Sequence, residues 1–216
     1  MADVLAELKA GIRKFCTDVY PKNAEAYRKA ASEPQKPDAL IVTCADSRID
    51  PELITQSGPG NIFVTRNVGN LVPAYGEMMG GVSAVIEYAV AALKVKHVVV
   101  CGHSDCGAMK ALLNPESLDP LPAVKRWMTN AAAAASVASS LQQPNEDAGT
   151  RLRRLTEENV LLQLQHLRTH PSVAGAIARG ELTLSGWVYD IGRGEVRISE
   201  NGDRTFHPVA VEDRAA

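Results

Sequence analysis

The chain has 216 residues, of which 45% are hydrophobic and 22% are charged, and its formal net charge is −2. This length suits one well-buried domain, and the near-neutral charge gives no electrostatic basis for a nucleic-acid or anionic-membrane partner. The first residues show neither a signal peptide nor an apolar span long enough to cross a bilayer, so we expect a cytoplasmic protein.

Cysteines in a reducing compartment are typically free thiols or metal ligands rather than disulfides. Two of the four cysteines, Cys16 and Cys101, lie inside apolar periodic stretches and are predicted to be small buried hydrophobes. The other two, Cys44 and Cys106, stand beside polar residues.

The first 34 residues are predicted to form a helical arm. Apolar residues recur at helical spacing from Val4 to Val19, and this helix is expected to end near Pro21. A second helical stretch follows around residues 24–31, and two prolines within residues 32–38 then break the pattern. Such an arm could pack on its own domain or reach across to a partner subunit.

Strands and helices alternate after the arm. Strands are predicted at residues 39–44, 62–66 and 97–102, with a helix at 80–93 between the last two. Further helices are expected at 106–113, about 123–141 and about 151–169, with a surface loop at 142–150. A strand at 182–191 and a hairpin to 195–199 complete the series. The alternation predicts an α/β fold in which helices flank a mostly parallel central sheet, formed by residues 1–216 as a single domain.

Metal-capable residues follow two of these strands. Cys44 ends the first strand and begins the stretch C-A-D-S-R, whereas His103 and Cys106 follow the third strand in G-H-S-D-C-G. Ligands bind at the carboxyl ends of parallel strands, so the three side chains could converge if the two strands are neighbours. Two thiolates and one imidazole suit zinc and leave a fourth position open. A single cysteine at a strand end is more often a buried hydrophobe, so the spacing alone leaves zinc binding and ordinary packing equally open.

The paired motifs C-A-D-S-R and G-H-S-D-C-G resemble the signature of the β-class carbonic anhydrases. The resemblance runs from about residue 35 to residue 113 and continues at E-N-V (158–160), T-H-P-S-V (169–173) and G-W-V-Y-D-I (186–191). It implies a zinc ion held by Cys44, His103 and Cys106, and reversible hydration of carbon dioxide to bicarbonate and a proton. It also implies homodimers, or tetramers and octamers built from dimers, in which the N-terminal arm packs on a partner subunit.

The resemblance implies roles for further residues. Asp46 and Arg48 match an Asp–Arg dyad; our hypothesis is that Asp46 accepts a hydrogen bond from the zinc-bound water or hydroxide and orients it. Arg48 would keep that carboxylate ionised and away from the metal, although Asp46 as a fourth zinc ligand at low pH stays open. The substrate-binding residues that the resemblance implies are Gln35, Phe63, Val68, Tyr88 and Gly107.

The residue at one position distinguishes two subgroups of this family. An allosteric bacterial subgroup has a tryptophan three residues before the first zinc-binding cysteine, where bicarbonate can bind, but here that residue is Ile41. With Gln35, Phe63 and Tyr88, the chain resembles the plant-type, non-allosteric subgroup, which includes bacterial members encoded beside cyanate-degrading enzymes. Two alternative functions stay open: hydrolysis of carbonyl sulfide or carbon disulfide on the same scaffold, and a non-enzymatic zinc-binding module.

The remaining polar residues near these motifs are given structural roles. Asp105 is expected to bond backbone or solvent, and no histidine is an evident proton shuttle. Four histidines have no cysteine or paired carboxylate at ligand spacing and are predicted to be surface or capping residues: His97, His166, His170 and His207.

Overall fold

The centre of the computed structural model, which describes residues 3–77, 80–200 and 202–209, is a six-stranded sheet. The strands are β1 (Ala39–Cys44), β2 (Ile62–Asn67), β3 (His97–His103), β4 (Thr183–Asp190), β5 (Glu195–Glu200) and β6 (His207–Pro208). Their order across the sheet is β2-β1-β3-β4-β5-β6. The first four strands in this order pair in parallel and the last two antiparallel, which confirms the predicted α/β fold with a mostly parallel sheet.

Helices surround this sheet and connect its strands. They are α1 (Val4–Lys14), α2 (Tyr20–Ser32), α3 (Pro51–Thr55), α4 (Gly81–Glu87), α5 (Gly107–Leu113), α6 (Pro122–Trp127), α7 (Ala132–Ser140), α8 (Ala148–Thr169) and α9 (Pro171–Ala178). The largest buried cluster lies between the sheet and helices α4, α8 and α9, where Val98 and Val100 of β3 meet Ile86, Val160 and Val173. The apolar strands therefore form a buried core, as expected of a parallel sheet.

The predicted end of the first helix near Pro21 is wrong, because the arm remains helical from α1 through α2. Proline cannot donate to a carbonyl of the preceding turn and crowds the backbone there. A wider π turn (Phe15–Val19) precedes it, and in this turn the Tyr20 N–H donates to the Phe15 carbonyl instead. The helix therefore passes Pro21 rather than ending at it.

Among the residues that the structure describes, none covers the apolar face of the arm. Neither α1 nor α2 contains a buried residue, and Val4 and Ile12 are each 63% exposed. Cys16 is exposed as well, so its predicted burial is wrong, whereas Cys101 is buried as predicted. An amphipathic helix pattern predicts that the apolar face is buried, but it does not show which chain buries it. Packing of the arm on a partner subunit stays a prediction.

Several other boundaries differ from the predictions. The single helix expected at about 123–141 is divided into α6 and α7 by a 3-10 turn (Met128–Ala131), and the helix expected at 80–93 is α4 followed by a π turn (Tyr88–Ala92). Helix α8 begins before residue 151 because Asp147 accepts a hydrogen bond from the Thr150 N–H (2.9 Å) and caps it. The surface loop expected at 142–150 therefore ends sooner. Helices α3 and α9 were not predicted.

Two strand glycines let α8 lie directly on the sheet. A Cβ atom on Gly102 of β3 would stand 2.8 Å from Val160 Cγ2, and one on Gly186 of β4 would stand 2.6 Å from Val160 Cγ1. These separations are too short for carbon atoms, so no larger residue fits at either position while the helix stays in place. This close approach brings the middle of α8 next to the carboxyl end of β3.

We expect Gly186→Ala to lower the free energy of unfolding by about 1–3 kcal/mol, because the new methyl group would overlap Val160. Gly192→Ala is the matched control, since its Cβ atom would meet only Asp190 Oδ1, at 3.6 Å, and we expect a change within about 0.5 kcal/mol. Denaturant midpoints of the metal-loaded proteins measure both. Equal midpoints for Gly186→Ala and the native protein would contradict the proposed constraint on α8.

Candidate metal centre

The predicted metal ligands lie together at one edge of the sheet. Strands β1 and β3 are parallel neighbours, as the convergence required, so Cys44 at the end of β1 lies beside His103 at the end of β3. Cys106 completes the group as the N-cap residue of α5. The candidate ligand atoms of the three residues all lie within 4.8 Å of one another, and the side chains are buried. The arrangement has the spacing of a three-ligand metal site.

The imidazole of His103 is held with one nitrogen available to the cluster. Its Nδ1 donates to the Ser104 carbonyl oxygen at 2.8 Å, so Nε2 is the ring nitrogen that faces the cluster. That nitrogen is buried and is one of the few buried side-chain nitrogens of the described residues with no hydrogen-bond partner. Buried polar atoms are nearly always satisfied, and a backbone acceptor on the second nitrogen is typical of metal-ligating histidines. The residues therefore fit a metal ion bound through His103 Nε2.

A hydrogen bond links the two thiols of the cluster. Cys106 donates to Cys44, and this hydrogen bond is the largest contribution that lowers the pKa of Cys44, to about 4. The same bond and burial raise the pKa of Cys106 well above its usual range. Backbone N–H groups of Ala108 and Met109, in the first turn of α5, act in the opposite direction on Cys106. The two sulfur atoms are thus close enough for one divalent cation to contact both.

Asp46 is fixed by a two-pronged bond to Arg48. The guanidinium donates from Nε to Oδ1 at 2.9 Å and from Nη2 to Oδ2 at 2.7 Å, while the Arg48 N–H also donates to Oδ1 at 3.0 Å. These bonds hold the pKa of Asp46 well below its usual range. The carboxylate is therefore ionised and directed towards Arg48.

Asp105 extends this ion pair into a chain of charges. Arg48 Nη1 donates to Asp105 Oδ2 at 3.0 Å, and Lys110 pairs with the other oxygen of the same carboxylate. The expectation that Asp105 bonds only backbone or solvent is therefore wrong. Its backbone has a φ of +59°, a left-handed conformation in which asparagine and aspartate are enriched among the residues other than glycine.

Arg66 belongs to the site but was not predicted from the sequence. Arg66 of β2 donates from Nε to the Cys44 carbonyl at 3.1 Å and from Nη2 to the Asp46 carbonyl at 2.6 Å. It thereby fixes the backbone turn between a predicted ligand and a predicted catalytic acid. Its partners are backbone atoms of a neighbouring strand, which no residue pattern records, so only the pairing of β1 with β2 could have indicated it.

The predicted substrate-binding residues are only partly assembled within one chain. The rings of Phe63 and Tyr88 lie with their centroids 6.1 Å apart, while Val68 and Tyr88 remain 40% and 50% exposed. Gln35 is exposed in the segment between α2 and β1. Gly107 is the first residue of α5, next to Cys106. Their substrate-binding roles stay predictions.

The four remaining histidines bond protein atoms. His170 is buried rather than on the surface, and it is the C-cap residue of α8, so the capping alternative of its prediction is the one that holds; its Nε2 donates to the Pro73 carbonyl at 3.0 Å. His166 donates from Nδ1 to the Val72 carbonyl at 2.7 Å. His97 bonds the hydroxyl groups of Thr183 and Ser185, and exposed His207 pairs with Asp203. Within the described part of the chain, Cys44, His103 and Cys106 form the one cluster of metal-ligating groups found.

Comparison with known proteins decides the family. A family model described as carbonic anhydrase matches residues 39–196. The chain is 48% identical over 200 residues to a carbonic anhydrase of Pseudomonas aeruginosa, covering 93% of this chain and 90% of the relative. The solved structure of the β-carbonic anhydrase CcaA superposes with a TM-score of 0.91 at 36% identity, over 96% of this chain and all of the other. The chain belongs to the β-class carbonic anhydrases.

Further relatives agree with this assignment. Carbonic anhydrase 1 of Escherichia coli O157:H7 is 43% identical over 97% of this chain and 94% of its own length. A Coccomyxa β-carbonic anhydrase solved with acetazolamide has a TM-score of 0.75 at 34% identity, over 93% of this chain and 86% of that one. The resemblance drawn from the two motifs is thus confirmed, while the link to cyanate degradation stays a prediction. None of the helices in the described residues is long and apolar enough to span a membrane.

Asp105→Asn tests how much the outer end of the charge chain contributes. Asparagine keeps the left-handed backbone but loses the ion pairs with Arg48 and Lys110. Both ion pairs are half exposed and solvent-screened, so we expect carbon dioxide hydration to fall by no more than about fivefold. Lys110→Met, which leaves the Arg48 contact in place, should keep native activity. A loss as complete as that from removing a metal ligand would contradict this outer, supporting role.

Proposed function

We propose that this carbonic anhydrase binds zinc at Cys44, His103 and Cys106 and catalyses the reversible hydration of carbon dioxide to bicarbonate and a proton. The observation that carries the proposal is the buried Cys–His–Cys cluster in which His103 Nε2 has no hydrogen-bond partner among the described residues. Two sulfur ligands and one imidazole nitrogen suit zinc, and three protein ligands leave a fourth position for water or substrate. When bound, zinc supplies an acidic water, since coordination lowers the pKa of water from about 15.7 towards about 7.

Asp46 would act beside that fourth position as an acceptor that orients the reacting oxygen. An ionised carboxylate has about four lone-pair sites and can accept a further hydrogen bond while it is held by Arg48. The two-pronged bond from Arg48 occupies both carboxylate oxygens of Asp46 and keeps this carboxylate from turning onto the metal ligands. We propose that Arg48 thus fixes both the charge and the direction of Asp46.

The substrate side of the site would be apolar. Carbon dioxide has no net dipole, so the rings of Phe63 and Tyr88 with Val68 suit a small dry wall, and Gln35 could donate to a bicarbonate oxygen. Ile41, in the position of the tryptophan of the allosteric subgroup, is buried against Val99 and Cys101. This packing supports a site without a bicarbonate switch.

We propose that a second subunit completes this wall. Val68 and Tyr88 are half exposed in the single chain, and no residue of the described ranges covers the apolar face of the N-terminal arm. The β-carbonic anhydrases of Sordaria macrospora, 30% identical to this chain with a TM-score of 0.78, are described as tetrameric. A homodimer, or a tetramer or octamer built from dimers, would cover the arm and close the pocket together.

Stopped-flow hydration of carbon dioxide, with zinc content measured on the same sample, tests the proposal. We expect a single zinc ion per chain, and Cys106→Ser should lose both the metal and the activity because a buried ligand is removed. Cys16→Ser is the control, since exposed Cys16 lies on the arm, and should keep both. Hydration that persists without metal would refute the mechanism. Faster release of sulfide from carbonyl sulfide or carbon disulfide would favour the alternative hydrolase.

Arg48→Ala tests the orienting role of the dyad. Without the two-pronged bond, the Asp46 carboxylate is free to turn towards the ligand cluster, and we expect the rate of carbon dioxide hydration to fall by about 10-fold or more. Arg48→Lys is the matched variant: it keeps the charge but cannot make the two-pronged bond, and should lie between alanine and the native enzyme. Full activity in Arg48→Ala would show that Asp46 needs no such support.

A further inference from the structure

A polar stripe on α8 bonds the backbone of the segment that follows β2. The side chains at positions 159, 163, 166 and 170 recur at spacings of four, three and four residues, so they share one face of the helix and its C-cap. Asn159 Nδ2 donates to the Gly69 carbonyl at 3.1 Å, and Gln163 Oε1 accepts from the Val72 N–H at 2.8 Å. His166 and His170 donate to the carbonyls of Val72 and Pro73 in turn.

Gln163 also fixes the orientation of Asn159. Its Nε2 donates to Asn159 Oδ1 at 2.9 Å and to the Asn130 carbonyl at 3.2 Å. Because Asn159 Oδ1 is engaged in this way, its Nδ2 is directed at Gly69. Both side chains are completely buried, and a buried network in which every group is paired specifies one arrangement of its members.

The residue that Asn159 holds is in contact with the metal centre. The Gly69 N–H donates to the Cys44 sulfur. Gly69 has a φ of +81°, and a Cβ atom on it would stand 3.1 Å from the Cβ of Ala108 in the first turn of α5. It therefore occupies a narrow space between one ligand at the end of β1 and the helix that begins at the other thiol, Cys106.

We propose that Asn159 is a positioning residue for the metal centre, which holds the Gly69 carbonyl so that the Gly69 N–H stays on Cys44 Sγ. An N–H···S bond withdraws charge from the thiolate and so reduces what the sulfur donates to a bound metal; outer contacts of this kind tune metal sites. Val160, the next residue, seats α8 on Gly102 and Gly186. The E-N-V motif thus has a physical role at the site without touching substrate.

Cobalt(II) in place of zinc gives a direct readout, because thiolate-to-cobalt charge transfer absorbs light. The inference rests on the proposed metal site but not on the proposed reaction. In Asn159→Ala we expect the charge-transfer band to move to longer wavelength, since a sulfur that has lost its N–H donor gives up an electron more readily. Release of zinc to a chelator should become about 10-fold faster, because Cys44 Sγ is then held less firmly in place, and this outweighs the extra charge that the sulfur donates.

Thr169→Val is the matched control at the far end of the same segment. It removes the hydroxyl that accepts from the Tyr75 N–H at 2.8 Å but leaves Gly69 and its two contacts in place. We expect the native absorption band and the native rate of zinc release. Asn159→Ser serves as a second variant if the alanine protein does not fold, because its hydroxyl is too short to reach the Gly69 carbonyl.

The outcomes separate the two proposals. An unchanged band in a folded Asn159 variant would overturn the positioning role. Equal shifts in the Asn159 and Thr169 variants would also overturn it, because the segment would then act only as a structural unit. If the native protein bound no cobalt with a thiolate band, the metal site itself would be refuted.

Discussion

The parallel pairing of β1 with β3 is the constraint on which the site depends. In-register pairing from Ala39 with His97 to Thr43 with Cys101 makes the two strands end together, so Cys44 and His103 reach the same edge without any long loop. Cys106 follows three residues later, at the start of α5. A slip of one residue would turn either ligand to the opposite face of the sheet. The buried valines of β1 and β3 that hold the register therefore also position the predicted metal ligands.

Charge explains why the neighbouring residues take their particular places. Two buried thiolates would be costly to hold without a compensating cation, and the hydrogen bond between the two sulfur atoms lowers the pKa of Cys44 while it raises that of Cys106. Asp46 adds a further negative charge close by, which Arg48 balances. With Arg48 45% exposed, this ion pair contributes little to folding stability. Its two-pronged geometry instead fixes where the carboxylate points, which is a property of use to the reaction rather than to the fold.

The sequence indicated the features that are encoded within one stretch of chain. Apolar runs predicted the four parallel strands, and two short motifs predicted which side chains would meet. Features that depend on backbone partners were missed: Arg66 bonds the carbonyls of Cys44 and Asp46, and Asn159 bonds the carbonyl of Gly69. The continuation of the arm past Pro21 was missed for a local reason. A π turn before the proline lets the helix continue where the proline would otherwise end it.

The two sides of the proposed site depend on different levels of structure. The metal side lies within one chain: its three predicted ligands are buried, the Ser104 carbonyl holds His103, backbone N–H groups of α5 reach Cys106, and α8 holds Gly69. The substrate side is open, with Tyr88 and Val68 half exposed and an apolar arm that contacts little of its own domain. Apolar residues left uncovered in this way favour association. Folding would therefore build the chemistry of the centre, and assembly would then enclose the apolar pocket that presents carbon dioxide to it.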